Sequence, residues 1–441
     1  MRLMLINPPK EKEFTLFVLD DYNSKARSNN LPLGLMYLSS FLDRASEHNV
    51  FLLDMNGLEM NVQDVSYWIE CWKPDLIGIT CVIAKWLTVR DLVRQIKSEF
   101  RVPIVLGGTN PSLYPKETLQ CLDIDYVICG FGQKPLLELC NRIESGSKDS
   151  IENCYTKDNA PERGSFQFLD IDEFPFPDRA KLSPKLYNIP YFPENPSTSM
   201  ITSFGCPYSC AFCACKNFRP VQVRRVEKII EEMKDVQLWG IRSVLFQDEL
   251  FTMSSTRVNQ ICSAILANEI NLNWSVRSRV DQIRTDSLEV MKKAGCFNIH
   301  LGIESGNDRI LEKMKKNITV EQIRKAVQTI KSVGLSCSAS FMIGYLSETR
   351  EEILNTIELA VELELNNCQF YITQPEPGTE LYRELGIEGD IYRRFTLDPT
   401  SVDLRNNLAT DKFSREELVE FVRLAYTKTN NLYKIKESKK C

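Results

Sequence analysis

The chain has 441 residues, with 54 Lys plus Arg against 59 Asp plus Glu and a formal charge of −5. At roughly 100 to 200 residues per domain this length implies two to four domains, and the slightly acidic balance disfavours a protein that binds by neutralising nucleic-acid phosphates. An apolar fraction of 43% beside 26% charged residues excludes a largely disordered or low-complexity chain.

No apolar run approaches the roughly 18 residues of a membrane-spanning helix. The apolar start at Met1 ends by Asn7-Pro8-Pro9, too early for a secretory leader, so the expected location is the cytoplasm. The 15 Cys are odd in number and scattered, which favours thiol, metal or cluster chemistry over a disulfide framework.

In chain order, the spacing of apolar residues predicts strands at 3–7, 51–54, 76–80, 104–107 and 126–129, with helices at 33–45, 62–72, 87–100 and 134–143. Such alternation implies a flavodoxin-like or Rossmann-like parallel sheet over 1–145. Its ligands would sit beyond the carboxyl ends of the strands, where Gly107-Gly108 and Gly130-Phe131-Gly132 fall. Residues 146–196 lose the rhythm and carry seven Pro, which reads as an ordered linker.

Alternation resumes over 197–385, with strands expected at 199–204, 243–247, 273–277, 298–302, 336–343 and 367–373 and helices after the first five. Six parallel strands fit either another open sheet or a partial βα barrel, and periodicity cannot choose between them. The remainder, 386–441, carries one helix at 414–433 and a charged run at 434–440.

The densest chemical signal is Cys206-Pro207-Tyr208-Ser209-Cys210-Ala211-Phe212-Cys213, directly after the first of these strands. Zinc would need a fourth ligand, yet Cys215 is too close for finger spacing and the only His residues are His48 and His300. Three thiolates suit a cubane iron–sulfur cluster, one on each of three irons with the fourth iron open.

The C-x3-C-x2-C spacing, with an aromatic residue before the third Cys, resembles the radical S-adenosylmethionine superfamily. That resemblance implies a six-stranded βα partial TIM barrel with Cys206, Cys210 and Cys213 holding a 4Fe-4S cluster. The cluster would chelate S-adenosylmethionine and reduce it to a 5′-deoxyadenosyl radical, for which an electron donor such as flavodoxin or ferredoxin is implied. Phe246-Gln247-Asp248-Glu249 resembles the segment that receives the cofactor's ammonium, through Asp248 or Glu249. Arg277 and Arg279 resemble the strand end that pairs with its carboxylate. Leu301-Gly302-Ile303-Glu304-Ser305-Gly306 resembles the fourth-strand signature, with Glu304 and Ser305 near the ribose or methionine end. Gly344-Tyr345-Leu346-Ser347-Glu348 resembles the fifth-strand Gly-x-Pro-Gly-Glu turn but replaces its middle, and Pro375-Glu376-Pro377-Gly378-Thr379 resembles the segment after the sixth strand.

In the first domain Asn7-Pro8-Pro9, Leu31-Pro32-Leu33-Gly34, Gly107-Gly108-Thr109 and Cys129-Gly130-Phe131-Gly132 resemble the cobalamin-binding domains fused to such enzymes, with Gly107, Gly108 and Gly130 at the cofactor. The implied family is the cobalamin-binding radical S-adenosylmethionine group, the class B methylases and the anaerobic magnesium-protoporphyrin ester cyclases. One departure stands out, because the Asp-x-His motif for the lower cobalt ligand would begin at Asp54, and Asn56 occupies the His position. The expected function is methyl transfer to an unactivated carbon or phosphorus of a small molecule, lipid or peptide. Radical cyclisation, coupling or oxidation is the alternative, and a non-catalytic cobalamin or redox sensor is the alternative of another class.

Overall fold

The computed structural model describes residues 1–9, 31–164, 170–189, 191–217, 219–386, 409–410 and 412–429. Two compact units divide the described chain, one ending at Tyr187 and the other starting at Asn188.

The first unit is built on a sheet with strands β1 (Arg2–Asn7), β2 (Asn49–Asp54), β3 (Leu76–Thr80), β4 (Ile104–Gly107), β5 (Tyr126–Ile128) and β6 (Cys154–Tyr155) in the order β2-β1-β3-β4-β5-β6. All neighbours are parallel except β5 and β6. Helices cover both faces, which is why Leu3, Met4, Leu5 and Ile6 run consecutively and are all buried. The order reverses between β1 and β3, so the crevice such sheets offer to ligands opens beyond Asn7 and Thr80. The Pro-rich stretch after 146 contributes β6 as an antiparallel edge, and two short helices, Thr109–Leu113 and Pro115–Cys121, fill the β4–β5 connection. Elements of two to seven residues carry too few repeats for a periodic signal.

The second unit is a curled half-barrel of six parallel strands: β7 (Ser197–Met200), β10 (Ser243–Phe246), β11 (Asn273–Arg279), β12 (Cys296–Glu304), β13 (Ser336–Ile343) and β14 (Asn367–Ile372), neighbours in that order. Between β7 and β10 a separate two-stranded ribbon pairs β8 (Ser203–Phe204) with β9 (Gln222–Val223). The first expected strand therefore breaks after Met200. At the break the Thr202 amide and the Thr202 and Ser203 hydroxyls bond to Asp248, at 2.7, 2.5 and 2.6 Å, rather than to the sheet.

Helices Val226–Leu238, Ser255–Ala267, Thr285–Lys293, Val320–Ser332 and Arg350–Glu362 close the outer face. Two of them start on complete capping boxes, Thr319 with Gln322 and Thr349 with Glu352, each satisfying two otherwise orphan backbone N–H groups. The tail helix Arg415–Thr429 packs onto the same outer face, where Tyr426 Oη accepts from the Phe370 amide at 3.2 Å. The remainder of the helix expected at 414–433, and the charged run at 434–440, lie outside the described residues. No helix among the described residues is long and apolar enough to cross a membrane.

Candidate functional site

The cysteine loop leaves β8 through Gly205, whose φ of +88° is open to glycine without strain. The loop is pinned at its middle, since the Ala211 amide donates to Met314 O and Ala211 O accepts from the Leu381 amide, both at 2.9 Å. Arg219 ties its start: the guanidinium donates to the carbonyls of Cys206, Pro207 and Tyr208 at 3.3, 2.7 and 2.7 Å and to Ser209 Oγ at 2.9 Å.

Within the loop Cys210 is buried, while Cys206 and Cys213 are half-buried. The Cys206 thiol feels the charge of both Cys210 and Cys213, and burial pushes it upward. Cys213 goes the other way, drawn down to about 7 chiefly by a hydrogen bond from the Cys215 thiol, with help from the Cys215 amide and the Lys316 ammonium. No three His, Cys, Asp or Glu side chains among the described residues converge on one point as a single-ion site would need. Ligands of a cubane need no such convergence, because each thiolate meets a different iron.

Around this loop the half-barrel's carboxyl edge gathers charged side chains. Asp248 is fully buried and its carboxylate is taken up by Thr202 and Ser203, so it shapes the approach to the cysteine loop. The Glu249 carboxylate accepts from its own amide and from the Gly205 amide, the latter at 3.1 Å, and burial raises its pKa. Arg279 is engaged on every side: Nε and one terminal nitrogen donate to Asp281 at 3.0 and 3.2 Å, the same terminal nitrogen to Lys316 O at 2.6 Å, and the other to Cys210 Sγ at 3.4 Å. Its guanidinium also lies 3.7 Å from the centre of the Tyr208 ring. Arg277 is exposed, and its guanidinium has no hydrogen bond or ion pair among the described residues.

Glu304 holds a φ of +72°, a strained setting for a side-chain-bearing residue, and pairs with buried Lys316 at 2.8 Å. A Cβ on Gly302 would come within 2.6 Å of Glu304 Oε1 and 2.9 Å of Lys316 Nζ, so the pair lies across β12 in the space that glycine leaves and would have to shift for any other residue. Ser305 turns away, its hydroxyl toward Thr356 and the Asn307 amide. In the altered fifth-strand turn, Ser347 takes the left-handed conformation at φ +63°, and the Glu348 carboxylate accepts from the amides of Gly344 and Tyr345 at 2.7 and 3.0 Å.

In the first unit, Gly108 has a φ of +106°, and a Cβ there would meet Cys81 O at 2.6 Å. Ser112 locks two loops together, donating to Gly108 O at 2.7 Å and accepting from the Gly130 amide at 2.9 Å. Gly107 differs, because a Cβ would meet nothing nearer than Ile128 O at 3.9 Å. Asp54 is buried and accepts from Asn7 Nδ2, Tyr187 Oη and the Gly57 amide at 2.6, 2.5 and 3.0 Å. His48 lies before β2, at the opposite end of the strand from Asp54, beside the Met1 amine at 3.3 Å and Asn141 at 2.9 Å.

The radical SAM superfamily model matches residues 200–360 and the B12 binding domain model residues 20–140. An uncharacterized methyltransferase of Pyrococcus horikoshii is 31% identical over 97% of this chain and 92% of its own length. The chain belongs to the cobalamin-binding radical S-adenosylmethionine family. Its other relatives include the anaerobic magnesium-protoporphyrin IX monomethyl ester cyclase of Rubrivivax gelatinosus, 25% identical over 86% of this chain and 71% of that one. Among solved structures, the radical S-adenosylmethionine methyltransferase TsrM of Kitasatospora setae superposes with a TM-score of 0.70 at 17% identity, over 88% of this chain and 78% of that one. At that identity the likeness establishes the fold alone.

As a cobalamin-dependent radical S-adenosylmethionine enzyme the chain takes a 4Fe-4S cluster, S-adenosylmethionine and cobalamin. Its residues fit these groups: three thiols in one pinned loop for iron, a carboxylate in Glu249 without a salt bridge among the described residues for an ammonium, and a strand end at Gly107 left bare without any need of the protein's own packing. Sequence reasoning missed Lys316 and Arg219. Lys316 had a signal, a Lys shortly after the fourth-strand signature, but nothing in the spacing shows that the chain folds it back onto Glu304. Arg219 lies beyond the cysteine motif and becomes part of it only through backbone geometry.

Proposed function

We propose that this enzyme transfers methyl groups to an unactivated carbon or phosphorus, with Cys206, Cys210 and Cys213 as the cluster ligands. What supports the reading is the cysteine loop, bound through Cys210 to Arg279 at the mouth of the half-barrel. When bound, the cluster supplies the electron that cleaves S-adenosylmethionine, and cobalamin carries the methyl group.

The chain's own residues then divide the work. Glu249 receives the ammonium of S-adenosylmethionine. Lys316, whose charge bears on both Cys210 and Cys213, faces the carboxylate, in place of the engaged Arg279. Glu304 orients Lys316, and Asp248 fixes the strand-to-loop turn through Thr202 and Ser203. Arg279 and the Cys215 amide donate to the sulfurs of Cys210 and Cys213, which stabilises thiolate charge. Gly107, Gly108 and Gly130 let cobalamin approach the backbone of the first unit, with no imidazole after Asp54 to reach the cobalt.

The reductant is a low-potential carrier such as flavodoxin or ferredoxin, and the setting is the cytoplasm. A second reading, radical cyclisation or oxidation without methyl transfer, is favoured by the ester cyclase relative. Anaerobic reconstitution with iron, sulfide and cobalamin, followed by mass spectrometry of the products of S-adenosylmethionine, separates the two. Equal 5′-deoxyadenosine and S-adenosylhomocysteine is expected for methyl transfer, deoxyadenosine alone supports the second reading, and neither product overturns both.

A further inference from the structure

The strands of the half-barrel have two unlike faces. Outward side chains, among them Val276, Ile299, Leu301, Ala339 and Phe341, belong to one apolar core with the helices. The residues that alternate with them face the interior: Ser275, Arg277, Asn298, His300, Ser338 and Ser340. Closed βα barrels fill this space with branched aliphatic layers. Here an apolar floor forms where Leu245 packs with Ile189, Phe192 and Phe297, and Met342 joins a second apolar cluster nearer the mouth. Between them the wall is polar.

The wall is also internally ordered. Asn298 Nδ2 donates to Ser275 Oγ at 2.9 Å and to Ser338 Oγ at 3.1 Å. Ser338 is 2% exposed, so its own hydroxyl hydrogen must find a partner inside, and His300 Nδ1 stands 3.0 Å away. That makes Nδ1 the acceptor and leaves Nε2–H to donate to Ser340 Oγ at 2.7 Å. Ser340 is half-buried, and its hydroxyl hydrogen remains for a ligand. Desolvation, and then the charge of Arg277, hold His300 down to about 4, so the imidazole is neutral and the relay has a single polarity.

Arg277 is the register partner of His300 and lies two residues before Arg279, about 7 Å deeper from the mouth. Three cations line this side of the half-barrel. Arg279 is engaged with Asp281, Lys316 O and Cys210, and Lys316 is paired with Glu304 beside the cysteines. The Arg277 side chain alone of the three lacks a hydrogen bond or ion pair among the described residues, with Glu249 and His300 the groups that feel its charge. A guanidinium left open on a polar inner wall, with a hydroxyl that has a hydrogen to give two strands away on the far side of His300, offers two donors to an oxyanion bound between them.

We infer that Arg277 and Ser340, the latter oriented by His300, form the substrate subsite for an anionic group, a carboxylate or phosphate, so that the substrate is a polar anion and not a neutral lipid. This rests on the half-barrel being the reaction chamber. The chain has only two His, which makes the site directly observable. In holoenzyme with S-adenosylmethionine bound, selectively nitrogen-15-labelled at histidine, titration with inorganic phosphate and separately with succinate, at constant ionic strength, should shift the His300 imidazole saturably and leave His48 unmoved. The stronger of the two identifies the anion type.

Arg277→Gln should weaken that response at least about tenfold, as loss of a hydrogen bond to a charged group does. Arg277→Lys should keep most of it, and S-adenosylmethionine affinity should stay within about twofold in both variants. An unchanged response in Arg277→Gln, or no saturable shift with either anion in the wild type, overturns the inference. Tenfold weaker S-adenosylmethionine binding in Arg277→Gln also overturns it, by returning Arg277 to the cofactor. Failure of the wild-type sample to cleave S-adenosylmethionine is read separately and counts against the proposed function.

Discussion

At the carboxyl edge of the first sheet stand Gly107, Gly108 and Gly130, with open space beside Gly107, whereas the same edge of the half-barrel carries Glu249, Arg279, Glu304 and Lys316. Both are parallel sheets covered by helices, and in both the ligand side is the carboxyl edge. The first edge is shaped by removing side chains, and its buried Asp54 carboxylate is hydrogen-bonded locally by Asn7, Tyr187 and the Gly57 amide. The second is shaped by packing ions against one another at close range. A large preformed cofactor is accommodated by an open backbone. A small charged one, chelated at a cluster, requires oriented charge.

The widest contrast should come from the cysteine loop. Cys206→Ala, Cys210→Ala or Cys213→Ala is expected to abolish cluster assembly, read as iron and sulfide content, while Cys215→Ala keeps most of the iron. Loss of iron in Cys215→Ala alone would mean that the Cys213–Cys215 contact has the ligand and its partner reversed. No alanine in the first sheet's glycine edge should affect iron at all.

The charged edge should be fragile in a way the bare edge is not. Lys316→Met leaves Glu304 buried without its partner, which is expected to destabilise the fold by about 3–5 kcal/mol. The double variant Lys316→Met/Glu304→Gln should recover most of that loss in urea unfolding. Additive losses in the double variant would show that the two side chains act separately.

A third expectation concerns pH. Burial raises the Glu348 carboxyl to about 7, although the amides of Gly344 and Tyr345 oppose this. Below its unfolded value of about 4.5 the carboxyl is protonated in both states. Between there and 7 only the folded state keeps the proton, so stability falls as pH rises and the loss is complete above 7. At about 1.4 kcal/mol per pKa unit the full effect is on the order of 3 kcal/mol. Glu348→Gln should flatten this stretch of the urea midpoint between pH 5 and 8, and an unaltered slope would assign it to other groups.

The smallest effects should separate two adjacent glycines. Gly108→Ala meets both a left-handed φ and the Cys81 carbonyl, and should cost at least about 1–2 kcal/mol of stability. Gly107→Ala has room and should change stability by less than about 0.5 kcal/mol. It should nevertheless weaken cobalamin binding, followed by absorbance, because a methyl group there intrudes only on a ligand. Full cobalamin affinity in Gly107→Ala would remove the distinction between the two edges.

By itself the sequence determined the family chemistry and most of the scaffold. The C-x3-C-x2-C loop and the glycine-ended strands are local patterns, and the strands at 76–80, 104–107 and 336–343 lie where the apolar runs put them. Only the tertiary structure decided which charged residues remain available. Asp248 and Glu249 are neighbours in sequence, yet one is absorbed by the Thr202 and Ser203 side chains while the other accepts from backbone amides. Arg277 and Arg279 differ in the same way, and Lys316 joins the site through a partner twelve residues away on β12. A residue's type fixes the charge it can carry. Whether that charge is already compensated depends on neighbours brought in from other strands and loops, and no one-dimensional pattern encodes those neighbours.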